Sequence, residues 1–210
     1  MIRALVGDDH AVVRRGLKDL LRESGDIVVE GEATNASELL ELLDAKPWDV
    51  VVLDINLPDR NGLDLLGEVK RRMPDLPVLI LTMYAEEQYA VRAMRAGASG
   101  YLTKESAPEE LIQAIRKVVN RGRYVSPDLA ERLAQWIDGG SEKAAHELLS
   151  TREFQVFLML ASGRAVSQAA EDLCLSVKTV STYRARILEK MNLKTNADLT
   201  LYAVRNRLVQ

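Results

Sequence analysis

A chain of 210 residues, 47% hydrophobic and 28% charged, has room for one large or two small domains and the composition of an ordinary globular protein. No apolar run approaches the roughly 18 residues of a membrane span. The opening MIRALVGDDH is a poor secretory signal, and a single cysteine, Cys174, excludes an intrachain disulfide and suits a reducing cytoplasm. The net charge of −3 is uneven: residues 148–210 hold nine Lys/Arg against five Asp/Glu, and the remaining 19 basic and 26 acidic residues leave 1–147 at −7. Such asymmetry points to two modules with different partners, and a surplus of four positive charges fits nucleic acid.

In chain order, IRALVG predicts a strand and 11–23 a helix, and IVVEGEA predicts a second strand followed by a helix over 36–44. DVVVLDI predicts a third strand, and 63–72 a helix that Pro74 and Pro77 punctuate. PVLILT predicts a fourth strand, 86–96 a helix, GYLT a short fifth strand and 108–120 a helix. The strands are near-continuous β-branched or leucine runs, as expected when both faces of a parallel sheet are covered. Repeated βα units predict an α/β doubly wound five-stranded parallel sheet, with ligands beyond the carboxyl ends of its strands. After Gly122 the pattern changes. Ser126-Pro127 reads as the cap and first residue of a helix to about Ile137, and Asp138-Gly139-Gly140-Ser141 as a break. Helices over 151–161, 166–173, 177–191 and 197–207 follow, a small all-α module. The expected division is therefore 1–122, a linker with one helix over 123–147, and 148–210.

The predicted strand ends carry a pattern. Asp8-Asp9 follows the first strand, Asp54 the third, Thr82 the fourth and Lys104 the fifth. Carboxylates and an ammonium gathered at one sheet edge are costly unless a divalent cation and a phosphoryl group use them. A carboxylate accepts a phosphoryl group once their mutual repulsion is neutralised, and magnesium does this with hard oxygen ligands in octahedral geometry. Asp8, Asp9 and Asp54 supply such oxygens, with a backbone carbonyl near Asn56. Lys104 can neutralise a phosphate oxygen and Thr82 can donate a hydroxyl hydrogen bond to another, so that catalysis is mainly positioning and electrostatics. The competing reading of Asp9 is a cap for the helix after it.

The stretches VGDDHAVVRRGL, VVLDINLPDRNGLDLL, LILTMYAE and AGASGYLTKESAPEEL resemble the receiver domain of bacterial two-component response regulators, a flavodoxin-like fold, over residues 1 to about 122. The resemblance implies that Asp54 is the phosphoacceptor, charged from a phosphohistidine on a sensor histidine kinase. It implies that Asp9 and Asp54 bind magnesium directly, with Asp8 acting through water and Asn56 through its carbonyl. Thr82 and Lys104 would grip the phosphoryl group, and Tyr101 would be the aromatic switch that turns inward with Thr82; an ordinary strand aromatic is its other reading. Pro58 and Gly62 bracket the loop after Asp54. Asn56 and Tyr84 lie two residues beyond key positions, where the resemblance implies an influence on how water reaches the acyl phosphate. An aspartyl-phosphate phosphatase is the enzyme alternative, but such enzymes carry a second acid where Asn56 stands here.

In the basic module, LSVKTVSTYRARILEKMN predicts an amphipathic helix capped by Ser176. Val180, Tyr183, Ile187 and Met191 share its core face, and Lys178, Thr182, Ala185 and Glu189 lie opposite with Ser181 between. Lys178, Ser181 and Thr182 are placed to meet base edges, Arg186 to reach phosphates, and Arg184, nearer the core side, to extend outward to one. The segment resembles the LuxR-type helix-turn-helix of NarL/FixJ-class response regulators. That resemblance implies phosphate contacts from Thr179 and nearby basic residues, base-facing positions at Ser181, Thr182 and Ala185, and a structural ion pair at Arg152-Glu153. It also implies double-stranded DNA as partner, a homodimer on phosphorylation, release of the recognition helix from the receiver, and no membrane. Leu199, Ala203 and Val204 of the last helix read either as a dimer contact or as packing within their own module. Two positions depart from the family: Ala169 replaces a bulky Ile, and Cys174 replaces a turn Gly, which disfavours a left-handed turn there. Cys174 itself reads as a small buried apolar residue.

Overall fold

The computed structural model describes residues 1–83, 87–126, 130, 144–206, 208 and 209. The chain divides into two compact units, Met1–Asp138 and Gly139–Gln210.

The first unit is a parallel sheet of β1 (Ile2–Gly7), β2 (Ile27–Ala33), β3 (Val50–Leu53), β4 (Val78–Thr82) and β5 (Gly100–Thr103), in the order β2-β1-β3-β4-β5. The helices are α1 (Ala11–Glu23), α2 (Ala36–Ala45), α3 (Gly62–Arg72), α4 (Glu87–Arg95) and α5 (Pro108–Val119), and the strand–helix alternation is the one expected. The central strands β3 and β4 are buried along their whole length, which is why their sequences read as unbroken apolar runs. Leu17 and Leu21 of α1 and Leu111, Ala114, Ile115 and Val118 of α5 cover one face, against Ala4, Val6, Val50, Val52, Leu79 and Leu81. Helix starts are fixed by side-chain oxygens: Asn35 accepts from the N–H of Glu38, and Asn61 from the N–H of Leu63. The strand order reverses direction between β1 and β3, and the cleft of such a sheet opens there, past the carboxyl ends.

Beyond α5 the chain turns at Arg121, whose φ is +60°, and returns alongside β5. The N–H of Tyr124 donates to the Ser99 carbonyl at 2.9 Å, and the N–H of Tyr101 donates to the Tyr124 carbonyl at 3.1 Å. The predicted helix from Ser126 to Ile137 and the Gly139-Gly140 break lie outside the described residues, apart from a hydrogen bond from the N–H of Ala130 to the Ser126 carbonyl.

The second unit contains a 3-10 turn (Ala145–Leu148), α6 (Thr151–Ala161), α7 (Val166–Asp172), α8 (Val177–Lys190) and α9 (Asn196–Arg205). The turn belongs to this bundle: His146 Nδ1 lies 2.9 Å from the Tyr202 hydroxyl, and its ring packs near Phe154 and Tyr202. Phe154 and Phe157 fill the centre with Val180, Ile187, Leu199 and Ala203. Leu199 and Ala203 are thus spent on packing within the module, while Leu201 and Val204 stay half exposed.

Two expectations about the α7–α8 turn are corrected. Cys174 adopts φ +52°, left-handed despite its Cβ, and it is exposed rather than buried. The tight connection needs the left-handed step, and the N–H groups of Cys174 and Leu175 close it on the carbonyls of Glu171 and Ala170.

The Arg152-Glu153 pair is structural, but its members pair elsewhere. Glu153, 3% exposed, accepts from Lys190 Nζ at 2.6 Å and from the Ser150 N–H at 2.8 Å, while Arg152 donates to Gln155 and to the Leu173 carbonyl. Burial pushes the Glu153 carboxyl up, but the Lys190 and Ser150 hydrogen bonds outweigh it and hold the group below the ordinary glutamate range. A depressed folded pKa stabilises fully above the unfolded value, about 4.3, and the stabilisation is lost as pH falls through the folded value. Lys190→Met is expected to cost this unit about 1–3 kcal/mol by leaving a buried carboxylate unpaired. On acidification to about pH 3, its wild-type melting temperature is expected to fall further than that of Glu153→Gln. Equal acid sensitivity of the two proteins counts against the assignment.

Candidate functional site

The ends of β1, β3, β4 and β5 bring the predicted residues to one corner. Asp8 and Asp54 are 2% and 3% exposed, and the N–H of Asp54 donates to the Gly7 carbonyl at 2.8 Å, tying the two strand ends together. Lys104 Nζ stands 2.6 Å from Asp8 Oδ2 and 2.6 Å from Asp54 Oδ2. The N–H of Lys104 donates to the Thr82 carbonyl at 2.8 Å, so β4 and β5 present Thr82 and Lys104 together. The N–H of Asn56 donates to Asp54 Oδ1 at 3.2 Å. Thr82 is fully buried, and its hydroxyl has no hydrogen-bond partner among the described residues. Tyr101 is buried on β5 at 5% exposure. Tyr84 lies outside the described residues.

Burial pushes the Asp54 carboxyl above the ordinary aspartate range; the Lys104 ammonium opposes this, and Asp8 adds to it by repulsion. For Lys104, burial works against the charge, yet Asp54 and Asp8 overcome it and hold the ammonium above the usual lysine range. The corner therefore stores strongly coupled charge out of water.

The donor set fits a hard divalent cation. Asp8, Asp9, His10 and Asp54 each offer a ligand atom, all within 4.8 Å of one another. Three carboxylates against one ammonium leave two negative charges when all are ionised, and oxygen donors of this kind suit magnesium. The Thr82 hydroxyl, unpartnered among the described residues, supplies a donor for a further oxygen-rich group.

Asp9 does not cap α1: the residue before the helix is His10, which makes no side-chain cap bond. Instead His10 Nδ1 lies 2.6 Å from Asp9 Oδ1 and 3.3 Å from Asp8 Oδ1. Sequence reasoning did not single out His10, although its place directly after the acid pair was a signal. It also missed Arg14, which donates to the Asp8 carbonyl at 2.7 Å and so braces the loop carrying the acids.

In the second unit, α7, the left-handed turn and α8 form the helix-turn-helix. Ser176 accepts from the N–H of Thr179 at 3.0 Å and starts α8. Val180 and Ile187 are fully buried and Met191 nearly so, while Tyr183 is half buried. Lys178, Ser181, Thr182, Ala185 and Arg186 are exposed, Thr179 and Arg184 half buried. The Thr182 hydroxyl donates to the Lys178 carbonyl at 3.0 Å, which leaves its oxygen to accept. Val177, 52% exposed at the first turn of α8, is an apolar member of this face that the sequence reading passed over.

Both architectures are matched by known families. The response regulator receiver domain matches residues 4–116, and the bacterial regulatory proteins of the luxR family match 147–203. The chain belongs to the NarL/FixJ-class response regulators: it is a DNA-binding transcriptional regulator with a receiver and a LuxR-type helix-turn-helix, and not a metabolic enzyme. It is 39% identical to the response regulator GacA of Pseudomonas aeruginosa over 100% of this chain and 98% of the relative. It is 36% identical to the response regulator UvrY of Escherichia coli over 99% of this chain and 96% of that one. The crystal structure of the response regulator ChrA, from a haem-sensing two-component system, is 32% identical with a TM-score of 0.54, covering 99% of this chain and 98% of the other. Among the described residues no helix is long and apolar enough to cross a membrane.

Proposed function

We propose that Asp54 accepts a phosphoryl group from a phosphohistidine of a sensor histidine kinase and that this modification promotes dimerisation and operator binding by the helix-turn-helix. The observation that carries the reading is the buried corner itself, where Lys104 bridges Asp8 and Asp54 and the buried Thr82 hydroxyl has no hydrogen-bond partner among the described residues. In the transfer, the P–N bond to the donor imidazole breaks as an Asp54 carboxylate oxygen bonds to phosphorus. Lys104 offers its ammonium, and Thr82 its hydroxyl, to the transferred oxygens. Asp9 and Asp54 would hold magnesium directly, Asp8 through water and Asn56 through its carbonyl. That ion supplies the charge neutralisation that lets an anionic acceptor approach an anionic donor. Tyr101, on the strand next to Thr82, repacks when Thr82 moves and biases a two-state surface. The protein works in the cytoplasm, where kinase and DNA are both in reach. We take the receiver as 1–125, which includes Tyr124 beside β5, the DNA-binding module as 145–210, which includes the turn that carries His146, and the stretch between them as connector.

On α8, Lys178, Ser181, Thr182 and Ala185 face bases, Thr179, Arg184 and Arg186 face phosphates, and Val177 offers an apolar contact to a thymine methyl. The half-exposed Leu201 and Val204 supply a self-complementary contact for a dimer. Selection of duplexes from a random pool by full-length protein, with and without an acyl-phosphate donor and magnesium, tests the reading. The donor is expected to tighten binding to the selected sites at least tenfold. Lys178→Ala is expected to weaken binding in both states, by about 1–3 kcal/mol if it reads a base. Donor-independent affinity at full phosphorylation would sink the switch.

A further inference from the structure

We infer that Asn196 is a positioning residue for DNA-backbone binding: it holds Arg184 so that the outer edge of the guanidinium meets a phosphate. The inference rests on the proposed reading of α8 as the DNA-recognition helix, and it adds a second helix to the binding machinery.

Arg184 lies between the core side and the outer face of α8 and is half buried. Its Nε donates to Oδ1 of Asn196 at 2.6 Å, across the turn to α9. The anchor stands on a fixed base. Asn196 is the first residue of α9, and its carbonyl accepts from the Thr200 hydroxyl at 3.2 Å. Just before it, Thr195 accepts from the N–H of Asp198 at 3.1 Å, while Asp198 Oδ2 takes the N–H groups of Lys194 and Thr195 at 3.1 and 2.8 Å.

Arginine carries five N–H donors in a planar fork. With Nε held by the amide oxygen, the terminal nitrogens keep four, and these have no protein partner among the described residues. Two parallel N–H groups on one edge are the geometry that a phosphate accepts in a bidentate way. Holding the chain through Nε also removes rotamer freedom before DNA arrives, freedom that an untethered arginine loses on binding. The identity of the anchor matters. A neutral amide orients the guanidinium without cancelling its charge, whereas a carboxylate at the same place would pair with it and repel the phosphate.

The test uses full-length protein and a mixed-sequence duplex, because a backbone contact is independent of sequence. Affinity is measured across a range of salt concentrations for wild type, Arg184→Ala, Asn196→Ala, the double variant and Asn196→Asp. Arg184→Ala is expected to reduce the slope of log K against log salt by about 0.9, one phosphate's worth. Asn196→Ala is expected to weaken binding about 3- to 10-fold in the wild-type background and to change nothing once Arg184 is gone. Asn196→Asp, close in shape and favourable in the first turn of a helix, is expected to weaken binding at least as much as Arg184→Ala and to lower the slope equally. It keeps the test valid if the alanine variant melts early. Equal losses from Asn196→Ala in both backgrounds, or wild-type affinity for Asn196→Asp, overturn the inference. Absence of salt-dependent DNA binding by the wild type overturns the underlying reading of α8 instead.

Discussion

Asp54→Ala is expected to abolish phosphoryl incorporation from an acyl-phosphate donor and, with it, every donor-dependent gain in DNA affinity. The effect should be total because nothing else in the corner can take its place. Asp8 is equally buried, but it follows β1, to one side of the central strand of the sheet, and Asp9 lies on the exposed side next to His10. Only Asp54 leaves β3 at the centre of the sheet, with Oδ2 against Lys104 and Oδ1 against the N–H of Asn56. The Asp54 carboxylate is 3% exposed with Lys104 Nζ at 2.6 Å, so it is held in one place with little competition from water. Intact mass of wild type and variant after donor and magnesium reads the modification directly, and DNA titration of the same samples reads its consequence. A phosphoryl adduct on the variant would move the acceptor elsewhere, and a donor response without an adduct would detach DNA binding from this corner.

Gly62→Ala is expected to damage fold and site together. A Cβ at this position would collide with the Asp54 carbonyl oxygen and lie 2.7 Å from Ile55 Cα and 3.0 Å from the Asp54 carbonyl carbon. All three are backbone atoms, so no side chain can swing aside. The N–H of Gly62 also donates to the Ile55 carbonyl at 2.7 Å, which pins the start of α3 against the end of β3. Relief requires moving one of them, and β3 carries Asp54. The cost is expected to be about 3 kcal/mol or more, with slowed phosphorylation of the fraction that remains folded. Gly16, in the middle of α1, is the control: an added Cβ there meets nothing within 4 Å, and alanine should stabilise the helix by about 0.5–1 kcal/mol. Denaturant melts of the two variants separate the predictions, and a mild effect at Gly62 would mean that the loop yields more easily than its backbone contacts imply.

The acidic corner was legible because the strands announce where they end. Apolar runs of strand length stop at Asp8-Asp9, Asp54, Thr82 and Lys104, and a doubly wound sheet collects such ends at one edge. Hydrophobic period likewise separated the buried face of α8, with Val180 and Ile187, from its exposed face. What stayed hidden was partnership. Period reports whether a side chain is buried, not whom it meets, so the bridge of Lys104 to both Asp8 and Asp54, the Glu153–Lys190 pair and the Arg184–Asn196 bond could not be read from spacing. The left-handed Cys174 was misjudged for a related reason: intrinsic preference is a weak local term, and closure of the helix-turn-helix overrides it.

Tyr124 bears on how the receiver is to be excised. The outermost strand of a sheet is an adhesive template for foreign backbone unless something shields it. Here the strip after α5 does the shielding, occupying the Ser99 carbonyl and the Tyr101 N–H. A fragment cut at Gly122 would bare that margin and invite edge-to-edge association unrelated to signalling, whereas one carried past Val125 keeps it clothed. Self-association of the shorter fragment should therefore not be taken for the dimer proposed for the full chain.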